Sequence, residues 1–112
     1  MKYTNILKDI IYNDAKVAIS VLLETDTTKE IRIVFKAGQL MKKHQTPFPI
    51  TVEMVDGELD FGVENQVHKL VKGDLVALDG GVPHDLTAKT NAIVRLTLSK
   101  LDSVQRVKNV EN

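Results

Sequence analysis

The sequence predicts an all-β fold, a sandwich or barrel formed by a single domain. Three observations carry this. Apolar and polar residues alternate with a period of two through most of the chain, turn residues punctuate it at short intervals, and no sustained helical stripe precedes the tail. At 112 residues there is room for one domain only. Apolar residues make up 43%, enough to fill one small core.

Residues 1–14 fit two readings. Ile6, Leu7, Ile10 and Ile11 suit a short helical stripe, and Ile10-Ile11-Tyr12 suits a short strand. Asn13-Asp14 reads as a turn, after which 16–24 is rich in β-branched residues. Asp26-Thr27-Thr28 is a second turn. In 30–36, Ile31, Ile33 and Phe35 alternate with Arg32, Val34 and Lys36. Ala37-Gly38 ends that strand. Pro47 and Pro49 keep 45–49 out of any central ladder, so this segment is expected to be a bend, a bulge or an edge. A strand over 50–55 follows, then the hairpin signal Asp56-Gly57 and a strand over 59–63. Further strands are expected at 67–71, 75–78, 84–88 and 92–99, giving eight or nine in all. A helix is expected only in the tail, over 102–110.

Composition removes several function classes. Lys plus Arg and Asp plus Glu number 15 each, so no net positive charge favours nucleic acid. No cysteine is present, which excludes disulfides, thiolate metal sites and a cysteine nucleophile. No run has the length of a membrane span, and the N-terminus lacks a signal-like apolar run, so a cytoplasmic protein is expected. No nucleotide-binding fingerprint occurs, and the three serines lack a nucleophile-elbow context.

Two glycine-to-histidine stretches remain as candidates for chemistry: Gly38 to Gly57, which contains His44, and Gly73 to His84. They resemble the two motifs of the cupin superfamily, small jelly-roll barrels. The first family motif runs Gly, five residues, His-x-His, three or four residues, Glu, six residues, Gly. Here Gly38, His44 and Gly57 match, while Thr46 and Ile50 stand at the second histidine and the glutamate. The second motif runs Gly, five residues, Pro-x-Gly, two residues, His, three residues, Asn. Gly73, Gly81 and His84 match, while Asp79 and Ala88 stand at the proline and asparagine. The resemblance implies a single cupin domain over 1–112, a jelly-roll or double-stranded β-helix. Motif one lies at 38–57, motif two at 73–88, and a C-terminal tail at 100–112.

In metal-binding cupins these positions hold a divalent ion such as iron, manganese, nickel or zinc. Carried over residue by residue, the resemblance leaves His44 and His84 as metal ligands. Thr46 supplies at most a weak neutral donor, and Ile50 supplies none. Three readings of the pair follow: a metal completed by water or a small ligand, a metal-free pocket that hydrogen-bonds a ligand, and two structural histidines. Thr46, Phe48 and Gln39 join the histidines as candidate ligand-binding residues. Phe48 reads first as a core residue, like Phe35 and Phe61; held between two prolines, it has the alternative of a rigid wall at the pocket mouth. His68 reads as a surface or rim residue.

The expected function is therefore small-molecule binding around His44 and His84. The alternative is a metal-dependent cupin enzyme, dioxygenase-like or isomerase-like, that completes its ligand set with water or substrate. A homodimer is also expected, since related small cupins commonly pair, and outward-facing Val34 and Val55 offer apolar contact.

Overall fold

Alternation along each strand divides it into one buried and one outward face, and two such surfaces close on each other. In the computed structural model, which describes residues 1–100, nine strands form among the described residues and no helix does. They are β1 (Ala18–Glu24), β2 (Thr28–Phe35), β3 (Leu40–His44), β4 (Ile50–Asp56), β5 (Leu59–Val63), β6 (Gln66–Leu70), β7 (Leu75–Leu78), β8 (His84–Ala88) and β9 (Ala92–Ser99). The expected tail helix lies outside the described residues.

The strands make two antiparallel sheets. One has five strands in the order β1-β2-β9-β4-β7, and the other has four in the order β3-β8-β5-β6. Non-consecutive strands lie side by side in both, as a jelly roll requires. Between the sheets lies a core that includes Ile33, Phe35, Val52, Met54, Leu59, Phe61 and Val94. All seven sit at the positions that alternation assigns to the inner face. The chain turns at Asp56-Gly57, but not as the expected hairpin: β4 and β5 lie in different sheets, β4 pairing with β7 and β9 and β5 with β6 and β8, so the turn carries the chain from one sheet to the other. Gly57 takes φ +83°, and a side chain there would collide with the Asn91 carbonyl.

The segment before β1 is neither the helix nor the strand that its residues suggest. It forms a turn over residues 6–9. The Arg32 guanidinium on β2 holds this turn by donating to the carbonyls of Ile6 and Lys8 at 3.0 and 2.8 Å, and to that of Asp9 at 3.3 Å. Lys36, on the same face, pairs with Asp14. The N-terminal segment thus crosses the outer face of β2 between Arg32 and Lys36. Val34 lies between those two tethers and is only 2% exposed in the single chain. It therefore offers no free surface for a dimer, contrary to the expectation from its outward parity. Tertiary tethering covered a face that local pattern leaves open.

Arg95 on β9 also finds its partners within the chain. Its Nε donates to Glu53 at 2.8 Å and its Nη1 to Glu30 at 2.9 Å. Burial works to lower the pKa of this guanidinium. The hydrogen bonds and charges of Glu53 and Glu30 outweigh that and hold it above its ordinary value.

Candidate functional site

The two ends of the sandwich differ. At one end Phe35, Ala92, Val94, Met54 and Leu59 are sealed. At the other, Leu96, Leu98 and Val63 are only half-buried, and there the histidines meet.

His44 and His84 are directly opposed across the β3–β8 ladder. Their ring centroids lie 4.4 Å apart at 60°. What brings His44 inward is a bulge. Met41 pairs with Leu86 and His44 with His84, so Lys42 and Lys43 together oppose the single residue Asp85. Both lysines face outward, and Met41 and His44 both face the core. Without the bulge, strict alternation would turn His44 to solvent.

The ring orientations follow from two matching hydrogen bonds. Nδ1 of His44 lies 2.7 Å from the Lys42 carbonyl, and Nδ1 of His84 lies 2.9 Å from the Val82 carbonyl. A carbonyl oxygen only accepts, so each Nδ1 carries the proton. In the neutral rings both lone pairs therefore sit on Nε2. Neither Nε2 has a hydrogen-bond partner among the described residues. Phe61 stacks on His84 with centroids 5.7 Å apart and rings 20° from parallel. His84 is 4% exposed and is the one buried polar side chain among the described residues.

Tight loop packing sets this arrangement. The Gly81 amide donates to the Thr46 carbonyl at 2.7 Å, and a side chain at Gly80 would collide with the Pro47 carbonyl. The loops that follow His44 and precede His84 are thereby locked together.

The other candidate residues take different places. Thr46 donates its hydroxyl to the Phe48 carbonyl at 2.9 Å, so the side chain shapes the loop. Thr46 and Phe48 both line an apolar cavity of about 490 Å³ at the open end, with Lys29, Pro47, Leu98 and Lys100. Neither histidine lines that cavity. Gln39 belongs to the opposite end of β3. Its Oε1 accepts from the Lys36 amide at 2.9 Å, its Nε2 donates to the Asn13 carbonyl at 2.7 Å, and its backbone pairs with Ala88. The structure does not bring it to the histidines. His68 is exposed on β6.

Lys29 was missed by sequence reasoning, which ended the Asp26-Thr27-Thr28 turn just before it and began the strand at Glu30. It lies on β2 and pairs with Leu98 of β9. Its signal was its parity with Ile31, Ile33 and Phe35, which places a cation on the inner row of the open end. Nearby, the Glu24 carboxylate accepts from Lys100 Nζ at 2.7 Å. That hydrogen bond, then the charges of Lys100 and Lys29, hold the Glu24 pKa below its ordinary value.

A resident divalent metal does not fit the donors present. Of the positions that the resemblance names, only His44 and His84 offer a free side-chain donor atom among the described residues, since Ile50 is buried in the core and the Thr46 hydroxyl is engaged elsewhere. Among the described residues no group of three or more His, Cys, Asp or Glu side chains is placed to hold an ion. Protein metal centres that retain their ion ordinarily use three or more protein ligands.

No family model and no curated protein sequence matches the chain. Solved structures do. An RmlC-like cupin protein from Desulfovibrio desulfuricans matches with a TM-score of 0.82 at 24% identity, covering 88% of this chain and 96% of that one. An uncharacterised conserved protein with a double-stranded β-helix domain, from Klebsiella pneumoniae, matches with a TM-score of 0.80 at 18% identity over 88% and 90% of the two chains. An RmlC-like cupin family protein from Methanocaldococcus jannaschii matches with a TM-score of 0.68 at 21% identity over 77% and 83%. In agreement with its strand order, the chain has the double-stranded β-helix fold of the RmlC-like cupins.

Proposed function

We propose that the chain binds a small molecule at the open end of the barrel, through His44 and His84. One observation carries this reading: both imidazoles are anchored at Nδ1 by backbone carbonyls, and their two Nε2 acceptors are left without a protein partner among the described residues. Two neighbouring acceptors against the Phe61 ring suit a ligand that offers hydrogen-bond donors, such as hydroxyl groups, on an apolar frame. The fold contributes nothing to this choice, because one barrel hosts many chemistries.

The test is a screen of hydroxylated small molecules, followed through the imidazole nitrogens by NMR. Binding is expected to shift both Nε2 resonances, and His84→Leu is expected to weaken it at least tenfold. A binder whose affinity is unchanged in both His44→Ala and His84→Leu would overturn the proposal. Near-stoichiometric iron, manganese, nickel or zinc in untagged protein, lost in both variants, would replace it with the metal-dependent enzyme reading.

We also propose a homodimer, with the β1 edge as its contact in place of Val34. Ile19 and Val21 are 57% and 54% exposed there, although they pair with the buried Ile33 and Ile31. Light scattering that gives a monomer mass at micromolar concentration would refute this.

A further inference from the structure

The apolar cavity at the open end is separate from the histidine pair, since neither imidazole lines it. Pro47, Phe48 and Leu98 give it apolar walls, and Glu24, Lys29 and Lys100 bring charge to it. Its volume of about 490 Å³ is that of a small-molecule pocket.

The charges around it do not balance. Lys100 Nζ donates to the Glu24 carboxylate at 2.7 Å and to the Thr25 carbonyl at 2.9 Å, so those two side chains neutralise each other. Lys29 is the cation left over. Among the described residues its ammonium makes no hydrogen bond and no close ion pair, and the Glu24 charge that it feels is already engaged by Lys100. Lys2 adds to the excess: its ammonium donates to the Glu24 carbonyl, and its charge also acts on the Glu24 carboxylate. Three cations thus gather round one carboxylate.

Strand pairing puts Lys29 at this position. It opposes Leu98 across the β2–β9 ladder and continues the inner row of Ile31 and Ile33. The side chain is half-buried, an arrangement in which a lysine lays its apolar stem along the wall and keeps its ammonium at the polar tip.

We propose that this cavity binds a small carboxylate with a hydrocarbon body, the body lying against Phe48 and Leu98 and the carboxylate meeting the Lys29 ammonium. Charge complementarity selects this occupant. A neutral ligand leaves Lys29 without a partner, and a cationic one meets three ammonium groups. The lysine head is a compact charge with three donors, which a carboxylate can accept. The apolar body removes exposed apolar wall from water. The inference goes beyond the histidine site proposed above, whose two Nε2 acceptors call for hydrogen-bond donors and not for an anion.

The experiment titrates the full-length chain with octanoate at neutral pH and low salt, with octanol as the uncharged control, followed by NMR. Octanoate is expected to shift the Phe48 ring and the Lys29 side-chain resonances, and to bind about tenfold more tightly than octanol. Lys29→Met keeps a long apolar side chain, removes the charge and should bring octanoate to the affinity of octanol. Lys29→Arg should keep the preference for the anion. Equal affinities for octanoate and octanol in the parent chain would overturn the proposal, and that comparison needs no variant. An octanoate affinity unchanged in folded Lys29→Met would overturn it too, as would the absence of any shift at millimolar octanoate. Shifts at the imidazole nitrogens in place of Phe48 would assign the carboxylate to the histidines and overturn it as well.

Discussion

The two ends of the sandwich are built from the same strands and have opposite characters. At the closed end the inner rows hold Phe35, Met54, Leu59, Ala88 and Val94, and each is sealed. At the open end the same strands present Leu96, Leu98, Val63, Lys29 and the two histidines. The closed end satisfies every requirement of a core, being apolar on both sheets and closed by turns. The open end holds a cation, two imidazoles and an apolar cavity of about 490 Å³. Stability is concentrated at one end and chemical potential at the other, as expected where a binding site trades packing for polar groups.

Paired truncations probe that contrast most strongly. Phe35→Ala is expected to cost about 3–5 kcal/mol, because it empties a sealed volume. Leu98→Ala, at the half-buried end, is expected to cost about 1–2 kcal/mol. Urea unfolding of both variants measures the gap, and equal losses would mean that the two ends are packed alike.

The histidines give the next effect. His84→Leu removes the bond to the Val82 carbonyl and places an apolar side chain beside Phe61, so stability should move by no more than about 1 kcal/mol in either direction. A loss several times larger, with no change in ligand binding, would make His84 a structural residue. The β3 bulge offers a sharper geometric check. Deleting Lys43 leaves one residue opposite Asp85 and a regular ladder. His44 is then still expected to face His84, with cross-strand contacts between the rings retained. Loss of those contacts in a folded protein would show that the bulge does more than set parity.

The smallest effect concerns acid. The Glu24 pKa is held below its ordinary value in the folded chain by Lys100 and then Lys29. Its contribution is thus fully present above the ordinary value of 4.5 and is lost as pH falls through the lower folded value. The ion pair is exposed, so Glu24→Gln should change the melting temperature by about a degree near neutrality and by less in acid. An equal change at both pH values would remove the ion pair as the cause.

Much of this architecture can be read directly from the residues. Period-two alternation in 30–36 and 50–55 names the inner faces, and Asp56-Gly57 names a turn, because pleat and turn are local consequences of side-chain type; that the turn crosses between sheets instead of closing a hairpin is decided by which strands pair. The spacing of Gly38, His44, Gly73 and His84 points to the jelly-roll fold and to both histidines through its resemblance to the two cupin motifs. Other features escape such reading. Gln39 was expected at the site, but its amide bridges Lys36 and Asn13, groups brought together only when the N-terminal segment lies along β2. Val34 was expected to be free and is covered by the same segment. Lys29 fell between the turn that ends at Thr28 and the strand expected from Glu30, and became an inner-row residue once β2 paired with β9.

The sequence by itself determined the class of fold, the faces of most strands and the identity of the two histidines, since each depends on periodicity or spacing along the chain. Only the tertiary structure decided that the imidazoles meet at 4.4 Å with neither Nε2 atom partnered among the described residues. That outcome depends on a bulge that reverses strand parity and on carbonyls that choose the tautomers. Parity and tautomer are both set by the partner across a ladder or by the path of the backbone, and neither partner nor path is a property of the residue itself.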